Sequence, residues 1–423
     1  MTFCLSLSTG CTTPDNSGSP STPPSAGTED AEEYSTPSIY VYTDNKASIK
    51  NKNDYVAASV TIDSYNKSHE LFEARANIRL RGNASLNSEK KSYKIKFNEK
   101  VNLFNMGSGP AKDWVLIANH CDKTFLRNYL AYEMANRMEN LGFNAHCHFA
   151  ELYVNDIYQG VYVVSESIEV NKNRVDITVD ETLETGFLVE LDSYNDGTHT
   201  FYVRNKWYVI KSDVLTTQQV NAIKKYIEEV DKRILTKNQQ QIEEVIDIYS
   251  FIDYYIVQEF FKNPDVAWSS CYMYKDKVGK LHMGPVWDFD NAVGNDYRLD
   301  GSSYEHLRAG YEEGLQVDNY AVETWFKFLT QTNWFLDLLK ERWVEKLPLM
   351  NEIIELADEV AEQNIDAIEN NYQKWDTLQK RVNVEGAFVF ELDTYEKHVD
   401  HLQTWLYNRI DWLNDFWDIE IEN

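Results

Sequence analysis

Two hydrophobic periods divide the chain. Up to about Val209, apolar positions alternate in short runs bounded by turn residues, the period-two pattern of half-buried strands. Ala76-Asn-Ile-Arg-Leu-Arg81 and Ser92-Tyr-Lys-Ile-Lys-Phe97 alternate, and Trp114-Val-Leu-Ile-Ala118 is a continuous apolar run. Glu151 to Val164 reads as two strands joined at Asn155-Asp156, a hairpin signature. One helix interrupts the strands: Asp122 stands where a cap belongs, and Phe125, Leu126, Tyr129, Leu130 and Met134 follow at three-to-four spacing. Past about Thr216 the period becomes helical. Phe251, Ile252, Tyr255, Ile256 and Phe260 mark one buried helix, and Leu402, Trp405, Leu406, Ile410, Leu413 and Trp417 mark another. Between them lies an island of strand, Cys271 to Lys275 and Lys280 to Trp287, turning at Lys277 to Gly279.

These patterns predict an α+β fold: a β-rich amino-terminal lobe over residues 39–215 and a helical carboxyl-terminal lobe over 216–423, with a cleft between them. Residues 1–38 differ in kind. Met1 to Cys11 reads like the end of an apolar signal region with small residues before a cysteine, so Cys11 is a candidate for lipidation. Thr12 to Ser38 is almost entirely Ser, Thr, Pro, Gly and acid, a composition that buries too little apolar surface to offset ordering entropy. A flexible stalk that tethers an extracytoplasmic protein to a cell surface is expected.

Composition narrows the function classes. The 423 residues are 43% hydrophobic and 13% aromatic, enough to bury a substantial core. The 41 Lys and Arg against 68 Asp and Glu leave a net charge of −27, which repels phosphate backbones and anionic lipid, so no nucleic-acid partner is expected. No run approaches the roughly 20 apolar residues that a membrane helix requires. Five cysteines are too few and too scattered for a disulfide framework.

The densest chemistry lies in Asn263-Pro-Asp265-Val-Ala-Trp-Ser-Ser270 and Trp287-Asp288-Phe-Asp290. Asp265 leaves the end of a buried helix and Asp288 the end of a strand, positions from which two carboxylates can converge on a hard cation such as Mg²⁺. Asp residues at such ends also serve simply as turn caps. Order along the chain favours chemistry. A kinase-type phosphoryl-transfer site needs a phosphate loop, a strand Lys, a helix Glu, a catalytic Asp and a metal-binding Asp. Arg81-Gly82-Asn-Ala-Ser85, then Lys94 and Lys96 on one strand face, Glu133, Asp265 and Asp288 occur in that order. Ser270 sits where a kinase catalytic loop places an Asn on the second metal.

Leu80-Arg-Gly-Asn-Ala-Ser85, Lys90-Lys-Ser-Tyr-Lys-Ile-Lys-Phe97, Leu126-Arg-Asn-Tyr-Leu130, Leu152 to Tyr162, Gly186-Phe-Leu-Val-Glu-Leu-Asp192 and Gly284-Pro-Val-Trp-Asp-Phe-Asp290 together resemble the spore coat protein H (CotH) kinase family over roughly Ile78 to Arg298. The resemblance implies an atypical, protein-kinase-like two-lobe fold and a secreted or surface protein kinase that uses ATP and Mg²⁺ or Mn²⁺ to phosphorylate Ser or Thr. It implies Asp265 as catalytic aspartate and Asp288, with Asp290 and Ser270, as metal holders. Lys96 or Lys94 would neutralise phosphate charge with Glu133 as ion-pair partner, and Glu166, at the hinge, would meet the nucleoside. Lys91 and Arg81 compete for the phosphate role. Trp268 stands where the family often has a basic residue.

The expected acceptor is an exported Ser/Thr-containing protein, with a basic one favoured by the enzyme's acidity. Two other functions stay open: an inactive kinase-like adhesin or coat component, and a glycosyltransferase whose Asp-x-Asp is Asp288-Phe-Asp290. His120-Cys121 and His146-Cys147-His148 have the wrong spacing for a zinc finger. His398 and His401 are expected at a partly exposed helix surface. Trp325, Trp334, Trp343, Trp405, Trp412 and Trp417 fall at helical spacing and are expected mainly in the core.

Overall fold

The computed structural model describes residues 35–63, 72–214, 216–266, 268–298, 302–313, 324–382 and 384–420. Cys11 and the expected stalk as far as Tyr34 lie outside the described residues, but the end of that stretch is not a free stalk: Thr36 and Ser38 are buried, Thr36 Oγ1 donating to Asn364 Oδ1 at 2.9 Å and Ser38 pairing with Asp63.

Seven strands close into a barrel: β1 (Ser38–Thr43), β2 (Val56–Asp63), β3 (Phe72–Leu80), β4 (Tyr93–Val101), β5 (Ala111–Ile117), β6 (Cys147–Val154) and β7 (Ile157–Glu166), in the order β1-β2-β3-β4-β5-β7-β6. β1 runs parallel to β6 and seals the barrel, while the other neighbours are antiparallel. Alternation decides what faces inward. Ile78 and Leu80 on β3, Ile95 and Phe97 on β4, and Trp114 and Leu116 on β5 fill the interior with buried side chains. The barrel is a packed core, so a ligand has to bind outside it. The β6–β7 turn is the expected one, with Asn155 and Asp156 both at positive φ (51° and 69°).

A second sheet has the order β12-β11-β8-β10-β9, built from β8 (Phe187–Leu191), β9 (Thr200–Val203), β10 (Lys206–Ile210), β11 (Cys271–Lys275) and β12 (His282–Met283). It crosses the boundary expected at 215, because β8 pairs antiparallel with both β10 and β11. One face, including Val189, Leu191, Cys271 and Met273, joins the large apolar core of the helical region. Glu190 and Tyr272 lie directly opposite each other in the β8–β11 register and turn to the other face.

The helices among the described residues are α1 (Arg127–Asn136), α2 (Thr217–Leu235), α3 (Gln239–Glu243), α4 (Ile248–Phe260), α5 (Trp325–Leu329), α6 (Asn333–Gln363), α7 (Ile365–Lys374), α8 (Ala387–Phe390) and α9 (Tyr395–Phe416). α2 starts at a capping box, Thr216 accepting from the Gln219 N–H while the Gln219 side chain returns the bond. α4 is buried on every face from Ser250 to Phe260 and forms the axis of the helical region. Although α1 comes between barrel strands in sequence, it packs against α4 and α6, so the helical region draws on the amino-terminal half. Trp343, Trp405 and Trp417 are buried and Trp325, Trp334 and Trp412 half-buried, as their spacing predicts. His398 departs from expectation: it is 1% exposed, and burial drives its imidazole down to about 3.

α7 docks on the barrel at β7, where Asn371 Oδ1 accepts from Val161 N–H at 3.2 Å and Trp375 Nε1 donates to the Gln159 carbonyl at 2.8 Å. Gly160 allows this approach. Its φ is +100°, and a Cβ there would stand 2.3 Å from Asn371 Oδ1. Among the described residues, no helix is long and apolar enough to cross a membrane.

Candidate active site

A cavity of about 1380 Å³ opens between the outer face of β3, β4 and β5 and the polar face of the second sheet. The loop after β3 (Arg81 to Ser85), Lys94 of β4, Val115 and Ile117 of β5, and the segment Ser167 to Glu169 after β7 form one side. Glu190 and Asp192 at the end of β8, Asp265 after α4, Ser270 and Tyr272 at β11, and Trp287, Asp288 and Asp290 after β12 form the other.

Asn263 joins the two acidic loops. Its Oδ1 accepts from Asp265 N–H at 3.1 Å, and its Nδ2 donates to the Asp288 carbonyl at 3.3 Å. Because Asn263 N–H also bonds the Gln258 carbonyl, both loops are fixed to the end of the buried helix α4. On the far side of Asp288, α1 takes over. Asn128 Oδ1 accepts from Phe289 N–H at 2.8 Å, while Arg127 donates from Nε to the Ala292 carbonyl at 2.9 Å and from Nη2 to the Val293 carbonyl at 3.2 Å. Arg127 is itself held by a buried ion pair with Asp122, whose Oδ2 also accepts from Arg127 N–H at 3.0 Å; the N-cap position is Leu126, not the expected Asp122, which reaches the first helical N–H from four residues further back.

Asp288 (φ 68°) and Ser270 (φ 58°) both adopt the left-handed backbone region, which costs a non-glycine residue energy and persists where surroundings enforce it. Ser270 Oγ donates to Asp288 Oδ2 at 3.2 Å. The serine read from the sequence as a metal-site residue thus touches the aspartate expected to bind the metal.

Charge in this wall is unbalanced. Burial, then the neighbouring Asp288, pushes the Asp265 carboxyl up to about 7. Burial raises Asp288, opposed by the Arg81 guanidinium and the Ser270 hydroxyl. Asp290 is held well above the carboxylate range by burial and by Asp288 and Asp265 together. Arg81, whose guanidinium lies 5.6 Å from the Trp287 ring centre, opposes the shift of both Asp288 and Asp290. Three acids that resist ionising beside one another accommodate a divalent cation, which removes that mutual repulsion. The donors are carboxylates and a hydroxyl, hard oxygens suited to Mg²⁺ or Mn²⁺ rather than zinc. Among the described residues, no three His, Cys, Asp or Glu side chains are grouped to hold a metal ion alone. The remaining ligands of a cation here would be water and substrate oxygens, as is usual for Mg²⁺.

Arg81, Lys94, Asp265, Ser270, Asp288 and Asp290 all line this one cavity. Three expected site residues do not. Lys96 is exposed on β4, beyond the lining. Glu133 bonds Arg137 at 3.5 Å, and Lys94 takes its carboxylate instead from Asp113 of β5, at 2.8 Å. Glu166 is fully buried behind the cavity, paired with Arg174 at 2.9 Å and accepting from Ser108 Oγ and His146 N–H. Of the competing cations, Lys91 donates to the Leu86 carbonyl at 2.6 Å away from the cavity, whereas Arg81 lines it. Asn263, Asn128, Glu190 and Asp192 had no role in the sequence reading. All four stand inside stretches singled out there: Asn263 two residues before Asp265, Asn128 in Leu126 to Leu130, and Glu190 and Asp192 at alternate positions of Gly186 to Asp192.

A family model described as CotH kinase protein matches residues 78–413, and the chain belongs to that family. No curated protein matches the chain.

Proposed function

We propose that this member of the CotH kinase family binds ATP with Mg²⁺ or Mn²⁺ in the cavity and transfers the γ-phosphoryl group to a Ser or Thr hydroxyl of an exported acceptor protein. One observation carries this reading: Asp265, Asp288 and Asp290 converge from two braced loops on a single wall of a cavity that also holds Arg81 and Lys94. That is the division of labour phosphoryl transfer needs, with positive groups for the phosphates and carboxylates for a cation and a hydroxyl proton.

Asp265 faces the acceptor. Its carboxylate orients the hydroxyl and takes its proton as the oxygen bonds to the γ-phosphorus and the bond to the ADP oxygen breaks. A carboxyl held near 7 is well matched to that exchange at neutral pH. Asp288, steadied by Ser270 and joined by Asp290, would hold the cation, which when bound neutralises phosphate charge. Arg81 and Lys94 bind phosphate oxygens from the opposite side. The two lobes of an atypical kinase would then correspond to the barrel and the helical region.

The glycosyltransferase reading has less support: the second sheet is antiparallel throughout, without the parallel crossovers typical of nucleotide-sugar folds. The acidic composition supports a basic acceptor, and an extracytoplasmic, lipid-anchored location remains part of the proposal. A thermal shift of the full chain with ATP, with and without Mg²⁺ or Mn²⁺, tests it. A metal-dependent rise abolished by Asp288→Ala is expected. No rise with either metal would remove the kinase reading in favour of the adhesin.

A further inference from the structure

Gly186 to Asp192 was conspicuous in the sequence, yet the reaction outlined above leaves it without a task. The structure makes Phe187–Leu191 of this stretch β8 and turns the alternate residues Glu190 and Asp192, the latter just past the strand, into the cavity. Glu190 stands opposite Tyr272 in the β8–β11 pairing, one strand from Ser270. Its carboxylate bonds the Tyr272 hydroxyl beside it and two further partners. Oε1 accepts from Ser270 N–H at 3.2 Å, and Oε2 meets Lys211 Nζ at 2.5 Å. The residue is 6% exposed, so its bond to Ser270 faces little competition from water.

The bond falls on a backbone position that needs support. Ser270 is in the left-handed region at φ 58°, and from there its Oγ donates to Asp288 Oδ2 at 3.2 Å. Asp288, also left-handed, gains a second brace through its carbonyl from Asn263. A continuous set of contacts therefore runs from Lys211 through Glu190 and Ser270 to the Asp288 carboxylate. The path joins the β8–β10 side of the second sheet to the loop after β12.

We infer that Glu190 is a positioning residue for the cation site: by accepting the Ser270 N–H it holds Ser270 in the conformation that aims its hydroxyl at Asp288, fixing the carboxylate for a divalent metal. The inference rests on Asp288 as a cation ligand. It assigns Glu190 no contact with substrate and no proton transfer. An oriented carboxylate loses less freedom when it binds, so loss of the brace weakens cation affinity without removing a ligand.

The test is titration of the full chain with Mn²⁺ alone, by calorimetry, with circular dichroism and melting temperature recorded for each variant. Glu190→Ala is expected to weaken Mn²⁺ binding about tenfold, in the range for loss of a residue that orients a metal ligand. Glu190→Gln keeps a carbonyl acceptor for Ser270 N–H and is expected to restore most of that affinity. Ser270→Ala should weaken binding similarly, and the double variant Glu190→Ala/Ser270→Ala should lose little more than Ser270→Ala, because the two act in series. An unchanged Mn²⁺ affinity in folded Glu190→Ala, or losses that add fully in the double variant, would overturn the inference. Asp288→Asn separates the two ideas. If it abolishes Mn²⁺ binding while Glu190→Ala does nothing, only the positioning role falls. If it leaves Mn²⁺ binding intact, the cation site itself falls and takes the positioning role with it.

Discussion

Lys94 on β4 and Asp113 on β5 form an ion pair at 2.8 Å across adjacent barrel strands, at the cavity's edge. A strand carboxylate thus occupies the position expected of a helix glutamate. With Lys94 and Asp113 both in the barrel wall, the lysine stays aligned whatever the helices do. Lys94→Ala is expected to raise the KM for ATP by about tenfold or more, the loss of one charge-assisted phosphate contact. Lys96→Ala should stay within about twofold, since an exposed lysine outside the cavity contributes little. Steady-state kinetics on the two variants check the assignment, and equal losses would contradict it.

Asp265 and Asp288 should fail differently. Asp265→Asn is expected to lower kcat by about 10² to 10⁴-fold, the usual contribution of a general base, while nucleotide binding persists. Asp288→Ala should abolish the metal-dependent part of nucleotide binding. Fluorescent-nucleotide titration beside a phosphoryl-transfer assay separates the two, and loss of nucleotide binding in folded Asp265→Asn would argue against its role.

The raised carboxyl of Asp265 carries a pH signature. Its folded value of about 7 lies above that of the unfolded chain, so the stability it contributes is present at low pH and lost as pH rises through about 7. Replacing it with Asn should therefore stabilise the metal-free protein more at pH 8 than at pH 5. Metal affinity runs the opposite way. Asp288 and Asp290, both raised, must be ionised to bind a cation, so Mn²⁺ affinity should increase from pH 5 to pH 8. Denaturant melts and Mn²⁺ titrations at the two pH values measure both, and pH-independent affinity would refute the charge arrangement.

Glu259 of α4 and Arg409 of α9 form a fully buried pair at 2.9 Å, and the same glutamate accepts from the backbone N–H groups of Arg308, Ala309 and Gly310. Arg308 in turn donates to the carbonyl of Pro264, next to Asp265. Arg409→Met leaves the buried Glu259 without its cation and is expected to cost about 3 to 5 kcal/mol. The loss should appear in the denaturation midpoint, and a loss below about 1 kcal/mol would show that the pair is dispensable.

Much of this was legible in the sequence where local period decides structure. The alternation of Ala76 to Arg81 and Ser92 to Phe97 became β3 and β4, and the buried run around Phe251 became α4. Arg81, Lys94, Asp265, Ser270, Asp288 and Asp290 met because each sits at the end or edge of an element whose direction was readable. The misplacements share a cause. Lys94 and Lys96 lie on one strand face, but two residues span about 6.6 Å of strand, enough to carry Lys96 past the cavity edge. Glu133 has the expected order on a helix, but order says nothing of which neighbours the helix meets. α1 serves the site through Arg127 and Asn128 instead. Glu166 follows a hairpin strand as a hinge residue would, but its partner Arg174 arrives from a loop with no periodic signal. Barrel closure by β1 on β6 is a pairing between distant segments and leaves no mark in local sequence.

The second sheet has a consequence for how the molecule is made. β8 is apolar or buried along its whole length, and one of its edges stays open until β11 arrives about 80 residues later in the chain. A nascent chain emerging from the ribosome therefore carries a sticky, unfinished edge through the synthesis of α2, α3 and α4. Truncations ending near residue 215 keep that edge permanently, so they should self-associate rather than yield a separable lobe, and the shortest soluble fragment has to run past Lys275.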